Sequence, residues 1–241
     1  MEKKSKMTKY KLSDFKTPEK HMHLLWRRFV IDPIFKFPCY LIANYTKITP
    51  NQINLLTLIL SILQFYFFSK GSFIIGAVFN QLSFGFDQID GKLARLRNIV
   101  TKQGTLTDGL CDKLRVFLGV LGLIIYFKQD LILIILLTAF LFTNLMFDFI
   151  GLFLLYRVPH VFDKKLVLKD SEIISKQSKL SYSTQEQEAL VFLFAPVLYF
   201  FYPKSIYYII SLAVILMILY LSLRVFKAIR RYNKKQQILK G

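Results

Sequence analysis

Cysteine, histidine and acid are all scarce in this chain. Its two cysteines are Cys39, in an N-terminal segment, and Cys111, in an aspartate-rich stretch. They have none of the paired spacing that holds zinc or builds a disulfide framework, so both read as reduced, structural thiols. The three histidines, His21, His23 and His160, fall in segments that read as interfacial or loop and are not expected to bind metal. Acids number 15 against 33 lysines and arginines, for a formal net charge of +18. In a membrane protein such an excess gathers in cytoplasmic loops and at anionic headgroups, so nucleic acid is not an expected partner. A cleavable leader is also missing: MEKKSKMTKYKLSDFK is polar and lysine-rich, without an apolar core. The first membrane run is therefore expected to act as the insertion signal. Internal repeats and low-complexity segments are absent as well.

Apolar sequence is what the chain has in quantity. Of its 241 residues 54% are hydrophobic, and the mean hydropathy is +0.42, more than a soluble domain of this length normally carries. Several runs reach the roughly 20 residues that cross a bilayer as helix. The reading is an all-α polytopic membrane protein. A basic tail, 1–19, precedes interfacial amphipathic helices in 20–48, a six-helix membrane domain in 49–228 and a second basic tail, 229–241. Within 20–48 we expect two short helices, with Asp32 capping and Pro33 opening the second, and with Trp26 and Arg27 at headgroup level. Thr49 and Pro50 open the first span by the same logic, and Gly71 ends it. The spans are placed at about 51–69, 72–97, 104–127, 130–156, 186–202 and 205–225, with a tight turn at Pro203 and Lys204 and a long polar loop over 157–184.

Lysine and arginine test this topology. Six spans put both termini on one side, and that side collects 30 basic residues against 3 (Lys70, Lys128 and Lys204) on the other. The positive-inside rule then makes it the cytoplasmic side of what is expected to be the cytoplasmic membrane.

The stretch DQIDGKLARLRNIVTKQGTLTDGLCD, 87–112, holds four aspartates, Asp87, Asp90, Asp108 and Asp112. On a helix Asp87, Asp90 and Ala94 share one face, and on the next helix Gly104, Asp108 and Asp112 do the same. The helices are antiparallel neighbours, so the aspartate faces can meet. Carboxylates near the membrane are expensive, and four together repel. Nearby lysine or arginine could compensate them, but an all-oxygen cluster suits hard divalent cations, Mg²⁺, Mn²⁺ or Ca²⁺. Two such ions serve phosphoryl transfer. Gly91, Ala94 and Gly104 either let the helices pack closely or leave room for a flat ligand.

The full pattern, D-x-x-D-G-x-x-A-R-x(8)-G-x-x-x-D-x-x-x-D, runs through Asp87, Asp90, Gly91, Ala94, Arg95, Gly104, Asp108 and Asp112. It resembles the signature of the CDP-alcohol phosphotransferase (phosphatidyltransferase) family at all eight fixed positions. TPNQIN, 49–54, also looks like that family's start of the first span. The resemblance implies a membrane-bound homodimer with a cytoplasmic-facing site. An acceptor hydroxyl attacks the phosphorus next to the CDP-linked alcohol and CMP leaves. It implies two divalent cations, Mg²⁺ or Mn²⁺ with Ca²⁺ able to occupy or inhibit, on Asp87, Asp90, Asp108 and Asp112. Asp112 would be the general base. Asn51, Asp90, Gly91, Ala94, Gly104 and Asp108 would bind the nucleotide. Arg95 would meet phosphate or anchor the helix end, and Lys113 and Arg115 are further phosphate candidates.

The family's members differ in which partner is the lipid, CDP-diacylglycerol with a small polar alcohol or a CDP-headgroup with diacylglycerol, and the motif is common to all. For the acceptor the candidates are Asp148, Arg157, Glu186 and Glu188. Each has a plainer alternative: Asp148 as partner of a buried Asn, Thr or Tyr, and Glu186 in a capping box with Ser183. Basic residues that an acceptor phosphate would need are available at Arg157, Lys164, Lys165, Lys113 and Arg115, but they do not match the set expected of inositol-phosphate-using members. The 157–184 loop either caps the acceptor entrance or merely connects. Rival classes are a cation transporter, disfavoured because no charged or broken helix continues a path to the other side, and a non-catalytic scaffold, disfavoured because all four aspartates are intact.

Overall fold

The computed structural model describes residues 10–15, 25–156 and 184–240. His21, His23, His160, Arg157, Lys164, Lys165, Ser183 and nearly all of the 157–184 loop lie outside them. Among the described residues every regular element is helical. The helices are α1 (Asp32–Tyr45), α2 (Pro50–Ser69), α3 (Phe73–Leu96), α4 (Lys102–Tyr126), α5 (Leu131–Tyr156), α6 (Thr184–Ala189), α7 (Ala195–Phe201) and α8 (Ser205–Lys240). Two compact units divide the chain, Met1–Phe127 and Lys128–Gly241.

Helices lie at all six expected places, although the fifth is interrupted. A π-helical turn, Leu190–Phe194, joins α6 to α7. Two segments, Pro50–Ser69 and Ser205–Leu223, are long and apolar enough to cross a membrane, and Leu131–Phe147 is a shorter apolar helix. The cytoplasmic ends expected for α3 and α4 carry the aspartates with Lys92, Arg95, Lys113 and Arg115, which dilutes their apolar runs. α8 continues to Lys240, through the segment expected to be a tail.

In the first unit α2 begins as its sequence indicates. The Thr49 amide donates to Gln52 Oε1 at 2.9 Å, the Gln52 amide donates back to Thr49 Oγ1 at 3.4 Å, and Pro50 fills the first turn. Gly71 ends it at φ 75°, a left-handed conformation, and a Cβ there would also strike the Tyr126 ring. α2 packs against both α3 and α4. Small and polar side chains make the α2–α3 seam. Ser61 and Ser83 hydroxyls lie 2.9 Å apart, and both donate to the Thr57 carbonyl. Such interhelical hydrogen bonds replace the missing hydrophobic drive between helices in lipid. On the α4 side Gly122 comes so near that a Cβ would sit 2.8 Å from the Phe65 carbonyl oxygen.

The N-terminal segment departs from expectation. A single helical run begins at Leu25, takes a π-helical turn over Arg27–Ile31 and continues straight into α1. Asp32 is not an N-cap, since the helical run passes through it: its carboxylate receives Lys92 Nζ of α3 at 2.5 Å and faces Arg27 Nε at 3.7 Å. All three side chains are buried. Arg27 is thus an internal group, not a headgroup anchor, and Trp26 Nε1 donates to Gln81 on α3 at 3.0 Å. Phe35 enters the space over Gly85 and meets Phe86 edge-on at 5.7 Å. Phe15, Ile31, Phe35, Cys39 and Ala43 share one core with Phe84, Ile89 and Leu93. Both cysteines are free and buried, as expected, and burial pushes the Cys39 thiol up to about 11.

The far end of α1 is held by Arg97. Its guanidinium donates to the carbonyls of Ile48 at 2.6 Å and Thr46 at 3.0 Å, and reaches those of Ile42 and Ala43. A cation there satisfies orphan carbonyls and complements the helix dipole. α3 itself ends in a Schellman turn, with Asn98 at φ 54° and the Ile99 amide donating to the Ala94 carbonyl at 3.0 Å.

In the second unit α5 packs on α8. Phe140 meets Phe192 edge-on at 5.5 Å, and Gln187 Nε2 donates to Thr143 Oγ1 at 3.0 Å. Tyr202 leaves the helix and the chain turns at Pro203 and Lys204, as expected, into α8.

Two measurements check this packing. Lys92→Met takes the nearest cation from a buried carboxylate and is expected to cost about 3–5 kcal/mol in unfolding experiments in detergent, most of it recovered in Asp32→Asn/Lys92→Met. Gly122→Ala is expected to destabilise by about 1–3 kcal/mol through overpacking against α2. Gly109→Ala, where a Cβ meets nothing within 4 Å, is expected to be neutral or to stabilise by up to about 1 kcal/mol.

Candidate active site

The aspartates gather where α3 and α4 face each other. The spacings predicted from sequence hold: Asp87 and Asp90 lie on α3, Asp108 and Asp112 on α4. Asp87 and Asp90 are buried, while Asp108 and Asp112 are partly open. Asp90 and Asp108 lie close enough across the helix pair for each to act on the other's charge, and Asp87 lies in the fields of Asp112, Asp108 and Asp90. The turn that opens α4 supports this meeting. Thr101 Oγ1 accepts from the Gly104 amide at 3.0 Å, and a Cβ on Gly104 would press on that same oxygen.

The carboxylate oxygens differ in what they receive. Asp87 Oδ2 accepts from Gln88 Nε2 at 3.0 Å, but Asp87 Oδ1 is buried with no hydrogen-bond donor among the described residues. Asp90 Oδ1 accepts from the Gly91 amide, and the Asn54 side chain lies beside Asp90. Asp112 Oδ1 accepts from Arg115 Nη2, and Lys113 Nζ stands 3.6 Å from Oδ2. Two carboxyl groups this close require a proton or a cation between them, and a buried oxygen without a donor requires the same. The all-oxygen donor set suits a hard divalent ion. As they stand, no three such side chains among the described residues close on a common point.

The remaining candidates sort by position. Gly91 and Ala94 lie on the half-open flank of α3, and Arg95 is exposed with its guanidinium over Gly91 and its charge acting on Asp108. Arg95 is therefore open to approach from outside. Arg115 is not. Its side chain is 1% exposed, pairs with Asp112 and lies over the Phe84 ring at 5.0 Å, so the expected phosphate contact gives way to an internal one. Lys113 is more open, at 29%. Asn51 is exposed in the first turn of α2, and the residue that reaches the cluster is Asn54, one turn on. Sequence reasoning missed Asn54, although it stands in the quoted TPNQIN stretch.

The acceptor candidates belong to the second unit. Asp148 lies within α5, as expected. Glu186 is half-buried in the first turn of α6 and Glu188 is buried, so the two point to different surroundings, as their spacing implies. Arg157 lies outside the described residues.

Known proteins were compared with this chain at three levels. Residues 47–226 match the profile of the CDP-alcohol phosphatidyltransferase family. A phosphatidylinositol phosphate synthase of Corynebacterium glutamicum is 33% identical over 86 residues, 35% of this chain and 37% of that protein. The match thus spans little more than a third of the curated relative's length. The crystal structure of Mycobacterium tuberculosis phosphatidylinositol phosphate synthase with CDP-DAG bound superposes with a TM-score of 0.59 at 18% identity, covering 83% of this chain and 93% of that one. Its apo form gives 0.52 at the same identity, covering 80% and 93%. At that identity the likeness is one of fold. The fold, the eight-residue signature and the profile match agree, and the chain belongs to the CDP-alcohol phosphatidyltransferase family, a family of transferases.

Proposed function

We propose that the protein transfers a phosphatidyl group from a CDP-linked lipid to the hydroxyl of a small polar alcohol, releasing CMP, as a step of phospholipid synthesis. The observation that carries the reading is the meeting of Asp87, Asp90, Asp108 and Asp112 on two facing helices, with a buried oxygen of Asp87 left without a donor. Support for a lipid-linked donor comes from the structural neighbour, whose crystals hold CDP-DAG. The phosphatidylinositol phosphate in the relatives' names belongs to those proteins. The acceptor here is left at the level of a polar alcohol.

Asp87, Asp90 and Asp108 would hold two divalent cations, Mg²⁺ or Mn²⁺. When bound, these would neutralise the pyrophosphate and the charge that develops on transfer. Asn54 and the Gly91 amide fix the Asp90 carboxylate. Gly91, Ala94 and Gly104 leave the flank of the two helices open for the cytidine, and Arg95 meets phosphate there. Asp112 takes the proton as the acceptor oxygen forms its bond to the phosphorus next to the lipid alcohol. The bond from that phosphorus to the bridging oxygen breaks, and CMP carries that oxygen away. Phosphoryl transfer asks for position and charge neutralisation more than for a covalent nucleophile. The site works at the cytoplasmic face of the cytoplasmic membrane, in a six-span homodimer, where a water-soluble nucleotide and a lipid meet.

The test is CMP release by the purified protein in lipid, with CDP-diacylglycerol against CDP-linked small alcohols and a panel of acceptors. Release is expected with CDP-diacylglycerol, lost in EDTA and restored by Mg²⁺ or Mn²⁺. Release only from CDP-linked small alcohols would reverse the direction of transfer, and none from any donor would remove the catalytic reading. Asp112→Asn is expected to lower turnover by about 10²–10⁴-fold, the usual contribution of a general base, measured in the same assay.

A further inference from the structure

α2 and α3 meet in a fixed register. Asn54 lies beside Asp90, the Ser61 and Ser83 hydroxyls are 2.9 Å apart, and the Phe68 ring fills the space over Gly76. Each of these rungs is two helical turns from the next on both helices, as one continuous antiparallel seam requires. The same register sets Thr57 across from Asp87 and Gln64 across from Asn80. From Asn54 to Gln64 the seam is polar at every rung, over about 15 Å of helix at 1.5 Å per residue, about half the thickness of a hydrocarbon core.

Six uncharged side chains of the seam, Asn54, Thr57, Ser61, Gln64, Asn80 and Ser83, are at most 3% exposed. The two serines bond to each other and to the Thr57 carbonyl. The other side chains are not so well provided. Asn54 Oδ1, Thr57 Oγ1, both ends of the Gln64 amide and Asn80 Nδ2 are buried without a hydrogen-bond partner among the described residues. Polar atoms left unpaired in an apolar medium are costly, and native interiors hold few of them. Lipid has no partners to give, and these side chains are closed to bulk solvent. Water fits. It donates and accepts, as the groups of Gln64 and Thr57 do, and internal water binds where several buried polar groups converge.

The end of the seam away from the aspartates is shut. One turn beyond Gln64, Phe68 is fully enclosed. A Cβ on Gly76 would lie 2.3 Å from its ring, and one on Gly122 of α4 would lie 3.0 Å from its Cβ. A side chain seated this closely between two glycines leaves no gap for water. The other end reaches the acid cluster, where Asp108 and Asp112 are partly open.

We propose that the α2–α3 seam is a blind water-binding column, in which internal water bridges Asn54, Thr57, Gln64 and Asn80, and Phe68 is the stopper. The column hydrates the interior of the helix pair from the aspartate end without opening an aqueous path across the membrane. It is independent of the reaction proposed above, and its tests read neither CMP nor metal.

The first test uses the full chain in lipid nanodiscs with ¹⁵N in its glutamine and asparagine side chains, and follows magnetisation passed from water to those amides by nuclear magnetic resonance. Gln64→Met and Asn80→Leu identify the two signals by their loss. Should either fail to fold, Gln64→Glu and Asn80→Asp lose the same signals and replace them. Transfer from water to both amides is expected. Amides that exchange magnetisation with each other and not with water overturn the column. The second test places the full chain in liposomes with a pH-sensitive dye inside. Opening a hydrophobic constriction lets a pore wet, so Phe68→Ala is expected to dissipate an imposed pH gradient about tenfold faster than wild type, and Phe68→Ala/Gln64→Met to leak less. A Phe68→Ala protein as tight as wild type, or a leak indifferent to Gln64, overturns the stopper. If Phe68→Ala does not fold, Phe68→Leu decides in the same way, with a smaller expected increase.

Discussion

Asp90 on α3 and Asp108 on α4 stand within range of each other's charge across the helix pair, and much of the first unit serves to make that contact tolerable. Carboxylates at close range in a medium of low dielectric repel strongly and are poorly solvated. Neither helix could hold its acids there alone. The contact persists because neighbouring groups fix each carboxylate: Asn54 and the Gly91 amide at Asp90, Arg115 at Asp112, Gln88 at Asp87. The backbone is arranged to the same end. Thr101 opens α4 so that Gly104 lies at its first turn, and Asn98 closes α3 tightly enough for a short connection.

A second set of charges works at a distance from the acids. Arg27, Asp32 and Lys92 form a buried ionic group that fixes the N-terminal helix against α3, and Arg97 grips its far end by the carbonyls. Buried ion pairs contribute little net stability compared with apolar packing, but breaking one is expensive. Their effect is on register. With Lys92 paired to Asp32 and Phe35 seated over Gly85, α3 has little freedom to rotate, and Asp87 and Asp90 stay turned toward α4.

How far the sequence could be read depended on whether a residue's role was local. The Thr49 capping box, the break at Gly71, the turn at Pro203 and the shared faces of the aspartates follow from spacing and backbone preference, and the structure has them. The eight-residue signature located the acid cluster for the same reason, since all of it lies on two consecutive helices. Roles that depend on a partner far along the chain were misread. Asp32 followed by Pro33 has the form of a helix start, but its carboxylate is claimed by Lys92, sixty residues away. Arginine beside tryptophan has the form of an interface anchor, but Arg27 is turned inward. Arg115 was legible as a cation near the acids but not as one enclosed by Phe84, because nothing in local spacing says which ring lies across the helix pair. Asn54 was passed over for Asn51, though helical geometry places only the later one beside Asp90.

The family profile begins at residue 47, just beyond α1, yet α1 has no core of its own. Phe35, Cys39 and Ala43 are buried only because Phe84, Ile89 and Leu93 stand opposite, and the reverse holds equally. The evolutionary unit and the folding unit therefore have different edges. A fragment cut at the profile boundary would uncover an apolar stripe on the helix that carries Asp87 and Asp90, would leave Lys92 without Asp32, and would leave Arg97 with only the Ile48 carbonyl of the four it reaches. The smallest piece that can be expected to behave as the whole starts upstream of Trp26, and the helix that the signature does not mention is the backing against which α3 presents its aspartates.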